Sequence, residues 1–168
     1  MIDVQKADDA HIPGIIYVCR AGYRDVSKCI LSESYIEKQC ETYYNPDRIA
    51  KEVGEPTHSW GGYFVALDHG QVVGAAGGGM TKKGTGWLYV IYLDPQRRNE
   101  GIGTKLLDAV TQQQKAFGAR EQFVTVQRGN VKGIPFYEAR GFIFQEEIVS
   151  NNLDEEPGAV VYKFRRSI

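Results

Sequence analysis

Two glycines stand at a point of the sequence where a strand leads into a helix. A β-branched and aromatic run, Trp87 to Leu93, precedes them, and an apolar run with helical periodicity, Ile102 to Phe117, follows. Gly101 and Gly103 have no Cβ atoms, so the backbone there can approach a ligand closely and turn its free N–H groups outward. Together with the positive end of the helix dipole, those N–H groups predict an anion site, most naturally for a phosphate or pyrophosphate.

Three glycine-rich phosphate loops compete for this segment. The dinucleotide loop G-x-G-x-x-G fails because Leu106 stands at the third glycine position, and the triphosphatase loop G-x-x-x-x-G-K-[ST] fails because no earlier glycine has the right offset. The pattern R-x-x-G-x-G is matched by Arg98, Gly101 and Gly103, after Pro95. It resembles the acetyl-CoA pyrophosphate loop of the GNAT N-acetyltransferase superfamily. The alternative is a helix N-terminus whose glycines only relieve packing.

A second motif begins at Asn130, which can cap the helix that follows it. Phe136 and Tyr137 are adjacent, so one can face the core and the other a cleft. Gly141 stands where a helix C-cap takes the left-handed conformation, and Phe142 starts the next strand. An Asn, a Tyr seven residues later and a Gly-Phe pair resemble the later motif of the same superfamily. Because the two motifs differ in composition and follow in the right order, the chain is identified as a member.

The resemblance implies an α/β (α+β) fold of the GNAT type, a mixed, mostly antiparallel seven-stranded sheet with helices on both faces and splayed strands 4 and 5. The sequence pattern independently predicts the order β-α-α-β-β-β-α-β-α-β-β, with room for a further short helix at Asp47–Val53. Gly77-Gly78-Gly79 is expected to weaken or bulge its strand. The predicted strands are Ile2–Ala7, Tyr63–Leu67, Val72–Met80, Trp87–Leu93, Gln122–Val126, Phe142–Val149 and, after a loop at Asn151–Gly158, Ala159–Phe164. The predicted helices are one capped by Asp8 or Asp9, then Tyr35–Tyr44, Gly101–Phe117 and Val131–Arg140.

The resemblance also implies acetyl transfer from acetyl-CoA, without a metal, to a primary amine. The thioester of the superfamily lies between the two splayed strands, here Trp87–Leu93 and Gln122–Val126, where backbone groups are unpaired. Asn130 is expected to hydrogen-bond the pantetheine arm, unless it is a plain helix cap. The backbone of strand 4 is expected to hold the same arm through Ile91, Tyr92 and Leu93. The loop is expected to hold the pyrophosphate through its backbone N–H groups, and Thr104 can add its hydroxyl. The loop residues are Arg98, Asn99, Glu100, Gly101, Ile102, Gly103 and Thr104.

Proton transfer needs an acid for the leaving thiolate and an acceptor for the amine proton. Tyr137 is the expected general acid; the alternative is a Tyr that only packs on the sulfur end of the cosubstrate. Trp87 and Thr125 stand where many superfamily members carry a Glu, so the usual bases are missing. The proton acceptor is then a water relayed by Tyr89, Tyr92 or backbone carbonyls, an acid of the N-terminal helices such as Glu33 or Glu37, or no residue at all.

Length and composition describe an ordinary globular chain. With 168 residues, 42% hydrophobic and 24% charged, we expect one domain over residues 1–168. No apolar run could cross a bilayer, the N-terminus has no signal-peptide layout, and three cysteines without metal spacing favour reduced thiols and a cytoplasmic location. A homodimer is left open.

Charge is distributed unevenly along the chain. The net charge of −1 argues against a nucleic-acid partner. Residues 96–140 contain eight Lys/Arg and four Asp/Glu, which gives +4 there and −5 in the remainder. A positive half suits a polyanionic cosubstrate, and a negative half suits an amine.

The sequence predicts the identity of the acceptor substrate less clearly than that of the cosubstrate. The segment 22–60, which covers the acceptor cleft in this superfamily, is rich in aromatic residues that either line a pocket for a small amine or pack in the core. These residues are Tyr23, Tyr35, Tyr43, Tyr44, His58 and Trp60, of which His58 is expected to be exposed. A small-molecule amine is the favoured acceptor. The alternatives are an enzyme acting on a protein N-terminus or lysine, and a non-catalytic acetyl-CoA-binding module.

Overall fold

The computed structural model describes residues 1–149 and 159–168. Its helices and strands follow the predicted order, with a 3-10 turn at Asp9–His11 before the first helix and the additional short helix after the second. In chain order they are β1 (Ile2–Lys6), α1 (Ile12–Ser27), α2 (Glu33–Tyr43), α3 (Pro46–Gly54), β2 (Tyr63–Asp68), β3 (Gln71–Lys82), β4 (Thr85–Leu93), α4 (Ile102–Ala116), β5 (Glu121–Gln127), α5 (Gly133–Glu138), β6 (Ile143–Val149) and β7 (Val160–Ser167).

The strands form one seven-stranded sheet in the order β1-β2-β3-β4-β5-β7-β6. β4 and β5 pair in parallel, and the other described pairs are antiparallel. Each face of the sheet has its own core. On one face α4 packs through Ile102, Leu106, Leu107 and Val110. On the other face, α1, α2 and α3 pack through Ile15, Val18, Cys19, Ile36, Cys40 and Ile49. The predicted mixed sheet with helices on both faces is confirmed.

Element ends differ from prediction mainly around the second motif. The helix predicted over 131–140 is only the six-residue α5, and Phe142 is buried before β6 begins at Ile143. Gly141 has a φ of 87°, so the left-handed conformation expected there is confirmed. The last strand continues to Ser167, three residues beyond the predicted end. The loop predicted at Asn151–Gly158 lies outside the described residues.

The glycine run of β3 faces a bulge that lies on the neighbouring strand. Gly77 pairs with Val90 and Gly78 pairs with Leu88, so Tyr89 of β4 is the extra residue. The bulge predicted from the glycines therefore exists, but the inserted residue is an aromatic one on β4. The glycines are needed for close approach: a Cβ on Gly79 would lie 1.9 Å from the carbonyl oxygen of Ser59.

β4 and β5 separate immediately before this bulge. Their pairing runs from Thr85 opposite Glu121 to Leu88 opposite Val124, and no later pair joins them in the described part of the chain. The predicted splay is confirmed. It leaves backbone groups of both strands without ladder partners, because each strand has lost its neighbour on that side.

A buried amide network holds β4 just before it separates. Gln114 of α4 is fully buried; its Nε2 donates to the carbonyl oxygen of Trp87 at 2.9 Å, and its Oε1 accepts from Nε2 of Gln122 at 3.1 Å. Gln122 in turn accepts from Arg166 Nε at 2.9 Å. Such a network stabilises only if every member is satisfied.

Replacing Gln114 by Leu is expected to destabilise the fold. The change leaves the Trp87 carbonyl and one Gln122 amide hydrogen buried without partners, each costing about 1–3 kcal/mol. Urea denaturation would measure the loss. Gln112→Leu, at an exposed position of the same helix, is the control and should change stability by less than roughly 0.5 kcal/mol. Equal effects of the two variants would contradict a structural role for the network.

Candidate active site

A cavity of about 560 Å³, here called the anion cleft, lies between the β4–α4 loop, α1 and α5. It brings together eleven of the twelve residues predicted to bind the cosubstrate: Ile91, Tyr92, Leu93, Arg98, Asn99, Gly101, Ile102, Gly103, Thr104, Asn130 and Tyr137. The twelfth, Glu100, does not line it. Both of its carboxylate oxygens accept from Arg97, at 2.8 and 3.0 Å, so any part it has at the cleft would come from its backbone alone.

The β4–α4 loop turns its backbone by alternating ordinary and left-handed residues. Asn99 and Gly101 have φ of 64° and 79°, and α4 begins at Ile102. The N–H groups of the first helical turn have no partners within the helix, which is the arrangement predicted for anion binding. Gly103 serves a different purpose from Gly101: a Cβ there would lie 3.1 Å from the ring of Phe136.

Basic side chains converge on the anion cleft around a single carboxylate. Asp25 of α1 accepts from Arg98 Nη2 at 2.7 Å, and Lys132 Nζ lies 3.6 Å from the same carboxylate. Burial alone would raise the pKa of Asp25, but the hydrogen bond from Arg98 and the charge of Lys132 outweigh it and hold that pKa below its usual value. Arg98 Nε is buried and has no partner among the described residues.

Arg140 is a cleft residue that the sequence reasoning missed. Its guanidinium lies 3.8 Å above the Phe136 ring, its Nη1 donates to the Phe136 carbonyl oxygen at 2.8 Å, and its Nε donates to Thr104 Oγ1 at 3.1 Å. Because the Thr104 hydroxyl oxygen accepts from Arg140, the hydroxyl hydrogen remains able to donate to an anion. The available signal was the position of Arg140 within the second motif, four residues after Phe136.

Asn130 and Tyr137 lie where the anion cleft meets a second cavity. Asn130 Oδ1 accepts from the Gly133 N–H at 2.8 Å, so it caps the first residue of α5, although Lys132 is the N-cap residue itself. Tyr137 is buried between Phe136 and Phe142, with ring centroids at 5.2 and 5.4 Å. The expected division, with one aromatic in the core and the other at the cleft, is wrong, because both Phe136 and Tyr137 line the cleft.

The second cavity, here called the splay pocket, has about 210 Å³ and lies between the separated strands. Leu88 to Tyr92 form one wall, Val124 to Gln127 form the other, and Asn130 and Tyr137 also line it. Burial raises the pKa of Tyr137, so its hydroxyl keeps its proton throughout the neutral range. A protonated phenol at this junction can donate a hydrogen to a group held in either cavity.

A third cavity, here called the aromatic pocket, has about 480 Å³ and shares Tyr89 and Val90 with the splay pocket. Six aromatic residues line it together with a few polar ones; the set is Tyr23, Gln39, Tyr43, Tyr44, Arg48, Glu52, Ser59, Trp60, Tyr63, Tyr89 and Val90. Four of the six aromatics singled out in segment 22–60 are present. Tyr35 is not among them, and His58 is exposed and stacks on Phe117 with ring centroids 4.1 Å apart.

Glu33 and Glu37, the two acids considered as proton acceptors, lie away from the three cavities. Glu37 accepts two hydrogen bonds from Arg24, at 2.7 and 2.9 Å, which lower its pKa, and neither it nor Glu33 lines any of the three cavities. Thr125 does line the splay pocket, whereas Trp87 stacks on Phe123 at 5.1 Å. Among the described residues, the carboxylate that lines one of these three cavities is that of Glu52, on the helix that the sequence indicated least clearly.

Comparison with known proteins decides the family. A family model described as the acetyltransferase (GNAT) family matches residues 29–142. This chain belongs to the GNAT family. It is therefore an N-acetyltransferase with acetyl-CoA as its cosubstrate, and the alternative of a non-catalytic module is not supported. N-alpha-acetyltransferase 30 of Schizosaccharomyces pombe is 29% identical over 128 residues, which are 66% of this chain and 79% of the relative.

Solved structures share the GNAT fold at low identity. PaiA N-acetyltransferase from Thermoplasma acidophilum, in complex with coenzyme A, is 21% identical with a TM-score of 0.80, covering 97% of this chain and 98% of its own. The ribosomal-protein-S18-alanine N-acetyltransferase from Escherichia coli is 15% identical with a TM-score of 0.71, covering 100% and 94%. At such identities the likeness establishes the fold alone.

Two searches of the described residues were negative. None of their helices is both long and apolar enough to cross a membrane. Nor do three or more His, Cys, Asp or Glu side chains within residues 1–149 and 159–168 come together as metal ligands would.

Proposed function

We propose that this GNAT enzyme acetylates the primary amine of a small molecule by direct attack of the amine on the thioester. The observation that carries the proposal is the aromatic pocket, which meets the splay pocket at Tyr89 and Val90. Its volume of about 480 Å³ suits a small-molecule ligand, and its walls are aromatic with few polar groups. An amine entering there would approach the thioester from the side opposite the anion cleft.

The donor would lie along the other two cavities. The N–H groups of residues 98–104 and the side chains of Arg98, Lys132 and Arg140, which all line the anion cleft, would bind the phosphates. The backbone of residues 91–93 and the side-chain amide Nδ2 of Asn130 would hold the pantetheine arm. The thioester would then lie in the splay pocket, beside Tyr137.

The chemistry requires one new bond and one broken bond. The amine nitrogen forms a C–N bond with the acetyl carbon, and the C–S bond of the thioester breaks. Tyr137 gives its hydroxyl proton to the leaving thiolate and regains one from the newly bonded nitrogen. The position of Tyr137 at the junction of the splay pocket and anion cleft supports this role.

A peptide N-terminus is the second candidate acceptor. The observation that favours it is the likeness to N-alpha-acetyltransferase 30 of S. pombe, a protein named for acting on α-amino groups. In that case the aromatic pocket would receive the first side chain of the peptide, and the remainder of the peptide would lie outside it.

The test is release of free coenzyme A with a panel of polyamines, amino acids, aminoglycosides and short peptides. We expect at least one small amine to exceed every peptide by tenfold or more in kcat/KM. A short peptide as the best acceptor would overturn the small-molecule proposal in favour of the second candidate. Turnover by none of them would also count against it.

We also propose that residues 1–168 form a single acetyltransferase domain. β1 begins at Ile2 and β7 ends at Ser167, and both strands belong to the same sheet. Limited proteolysis should therefore give no stable fragment that lacks either end.

A further inference from the structure

A half-buried carboxylate, that of Glu52 on α3, lines the aromatic pocket. Its side chain is 20% exposed, and its Oε1 is buried without a well-formed hydrogen bond to any described residue. The nearest cation is Arg48 of the same helix, whose Nε lies 3.4 Å from that oxygen and whose guanidinium also covers the Tyr43 ring at 4.7 Å. A buried acceptor left open in a cavity is costly unless something else pairs with it.

Arg48 is the cation among the described residues that line the aromatic pocket together with Glu52. Cys19 of α1 and Tyr63 of β2 interact with the charge of Glu52, and burial raises the pKa of both, so they stay protonated at neutral pH. Burial likewise raises the pKa of Tyr44, at the end of α2. Glu52 is the carboxyl among the described residues that line this pocket.

Burial also acts on Glu52 itself. It raises the pKa of this carboxyl, and the positive charge of Arg48 only partly opposes the rise. A carboxyl whose pKa moves toward neutrality is better matched to accept a proton at physiological pH. This shift agrees with the geometry, in which Glu52 lines the cavity that would hold the amine and, among the described residues there, has only Arg48 of its own helix as a charged neighbour.

We propose that Glu52 accepts the proton of the acceptor's ammonium group, which rests on the proposed function in that the aromatic pocket holds the acceptor. The ammonium pairs with Oε1 and transfers one proton to it, directly or through a water, leaving a neutral nitrogen with its lone pair. That nitrogen forms the C–N bond, Tyr137 exchanges protons with the thiolate and the nitrogen as described, and Glu52 returns its proton to solvent. One proton is thus released for each acetyl group transferred.

The structural contact of the Glu52 carboxylate is its i,i+4 ion pair with Arg48, and such a pair within a helix contributes little to stability. Trp60 Nε1 donates to the backbone carbonyl oxygen of Glu52 at 2.9 Å, a bond that a side-chain change leaves intact. Gln has nearly the same shape as Glu but cannot take a proton in this range. Glu52→Gln should therefore keep the pocket while removing its proton acceptor.

The experiment measures kcat/KM against pH for the wild type, Glu52→Gln and Glu55→Gln. Glu55 is the matched control because it is exposed and follows directly after α3. The acceptor is whichever compound of the panel has the highest kcat/KM, small amine or peptide, so the result does not depend on the acceptor class. A second acceptor is its analogue with electron-withdrawing substituents, chosen to be largely neutral at pH 7.

If Glu52 accepts the proton, the kcat/KM of the wild type should rise with pH and reach a plateau at a pH well below the pKa of the amine substrate. Glu52→Gln should lose about a hundredfold at pH 7 and then climb with pH toward the acceptor's pKa. The neutral analogue should lose only a few-fold in the same variant, and Glu55→Gln should match the wild type. A wild-type profile in Glu52→Gln, or equal losses with both acceptors, would overturn the proposal.

A measurement without turnover separates this proposal from the proposed function. The Glu52 carboxyl can be titrated by ¹³C NMR and assigned through its loss in Glu52→Gln. We expect a pKa above the usual value of 4.5. A pKa at or below that value would overturn the role of Glu52 whatever the acceptor panel shows.

Discussion

Tyr137→Phe is expected to lower kcat by about a hundredfold or more, while acetyl-CoA binding changes little. The phenol is buried at the junction of the anion cleft and splay pocket, and burial keeps it protonated. Without it, the thiolate must leave unprotonated or take its proton from water. The ring itself remains, so the packing against Phe136 and Phe142 is preserved.

Steady-state kinetics with the best panel acceptor, together with the thermal shift caused by acetyl-CoA, would separate the two contributions. Tyr17→Phe is the control, because Tyr17 is 63% exposed on α1. Unchanged turnover in Tyr137→Phe would mean that the Tyr only packs against the cosubstrate. A proportional loss of affinity with no loss in kcat would lead to the same conclusion.

Gly103→Val is expected to abolish the thermal stabilisation that acetyl-CoA gives to the wild type. A Cβ at this position would lie 3.1 Å from the Phe136 ring and 3.9 Å from Leu93, so the larger Val side chain would fill space in the anion cleft that these residues line. A ligand at a hundred times its Kd stabilises the folded state by about 2.7 kcal/mol, so its loss is easily measured. Gly101→Val should act similarly through backbone strain, because φ is 79° there.

Gly54→Val is the matched control for the glycine variants. A Cβ at Gly54 meets nothing within 4 Å, and the residue lies at the end of α3, outside all three cavities. The control should keep the full shift with acetyl-CoA. Full affinity in both Gly101→Val and Gly103→Val would contradict the assignment of this loop to the phosphates.

The sequence predicted the parts of the site that depend on local rules. Arg98, Gly101 and Gly103 form a pattern because a strand, a tight loop and a helix N-terminus follow one another along the chain. The spacing from Asn130 to Tyr137 is local in the same way. Each of these residues could be placed from its neighbours alone.

The sequence did not predict site residues whose partners are distant along the chain. Arg140 is a cleft residue because it reaches Thr104, 36 positions earlier, on a different helix. Glu52 is a candidate only because the fold places it in the same cavity as Tyr89, 37 positions later. From the sequence alone, a carboxylate on a short amphipathic helix resembles a solvated one. The glycine run signalled a bulge, yet nothing in it indicated that the inserted residue would stand on the opposite strand.

α4 connects the two ends of the donor site through a fixed number of residues. Its first turn offers N–H groups to the anion cleft, and near its last turn Gln114 holds the Trp87 carbonyl two residues before Tyr89. The twelve steps from Ile102 to Gln114, at about 1.5 Å each, fix a distance of roughly 18 Å along the helix axis. Surrounding loops can change in length without altering that distance. The enzyme would therefore select its donor by length as well as by charge.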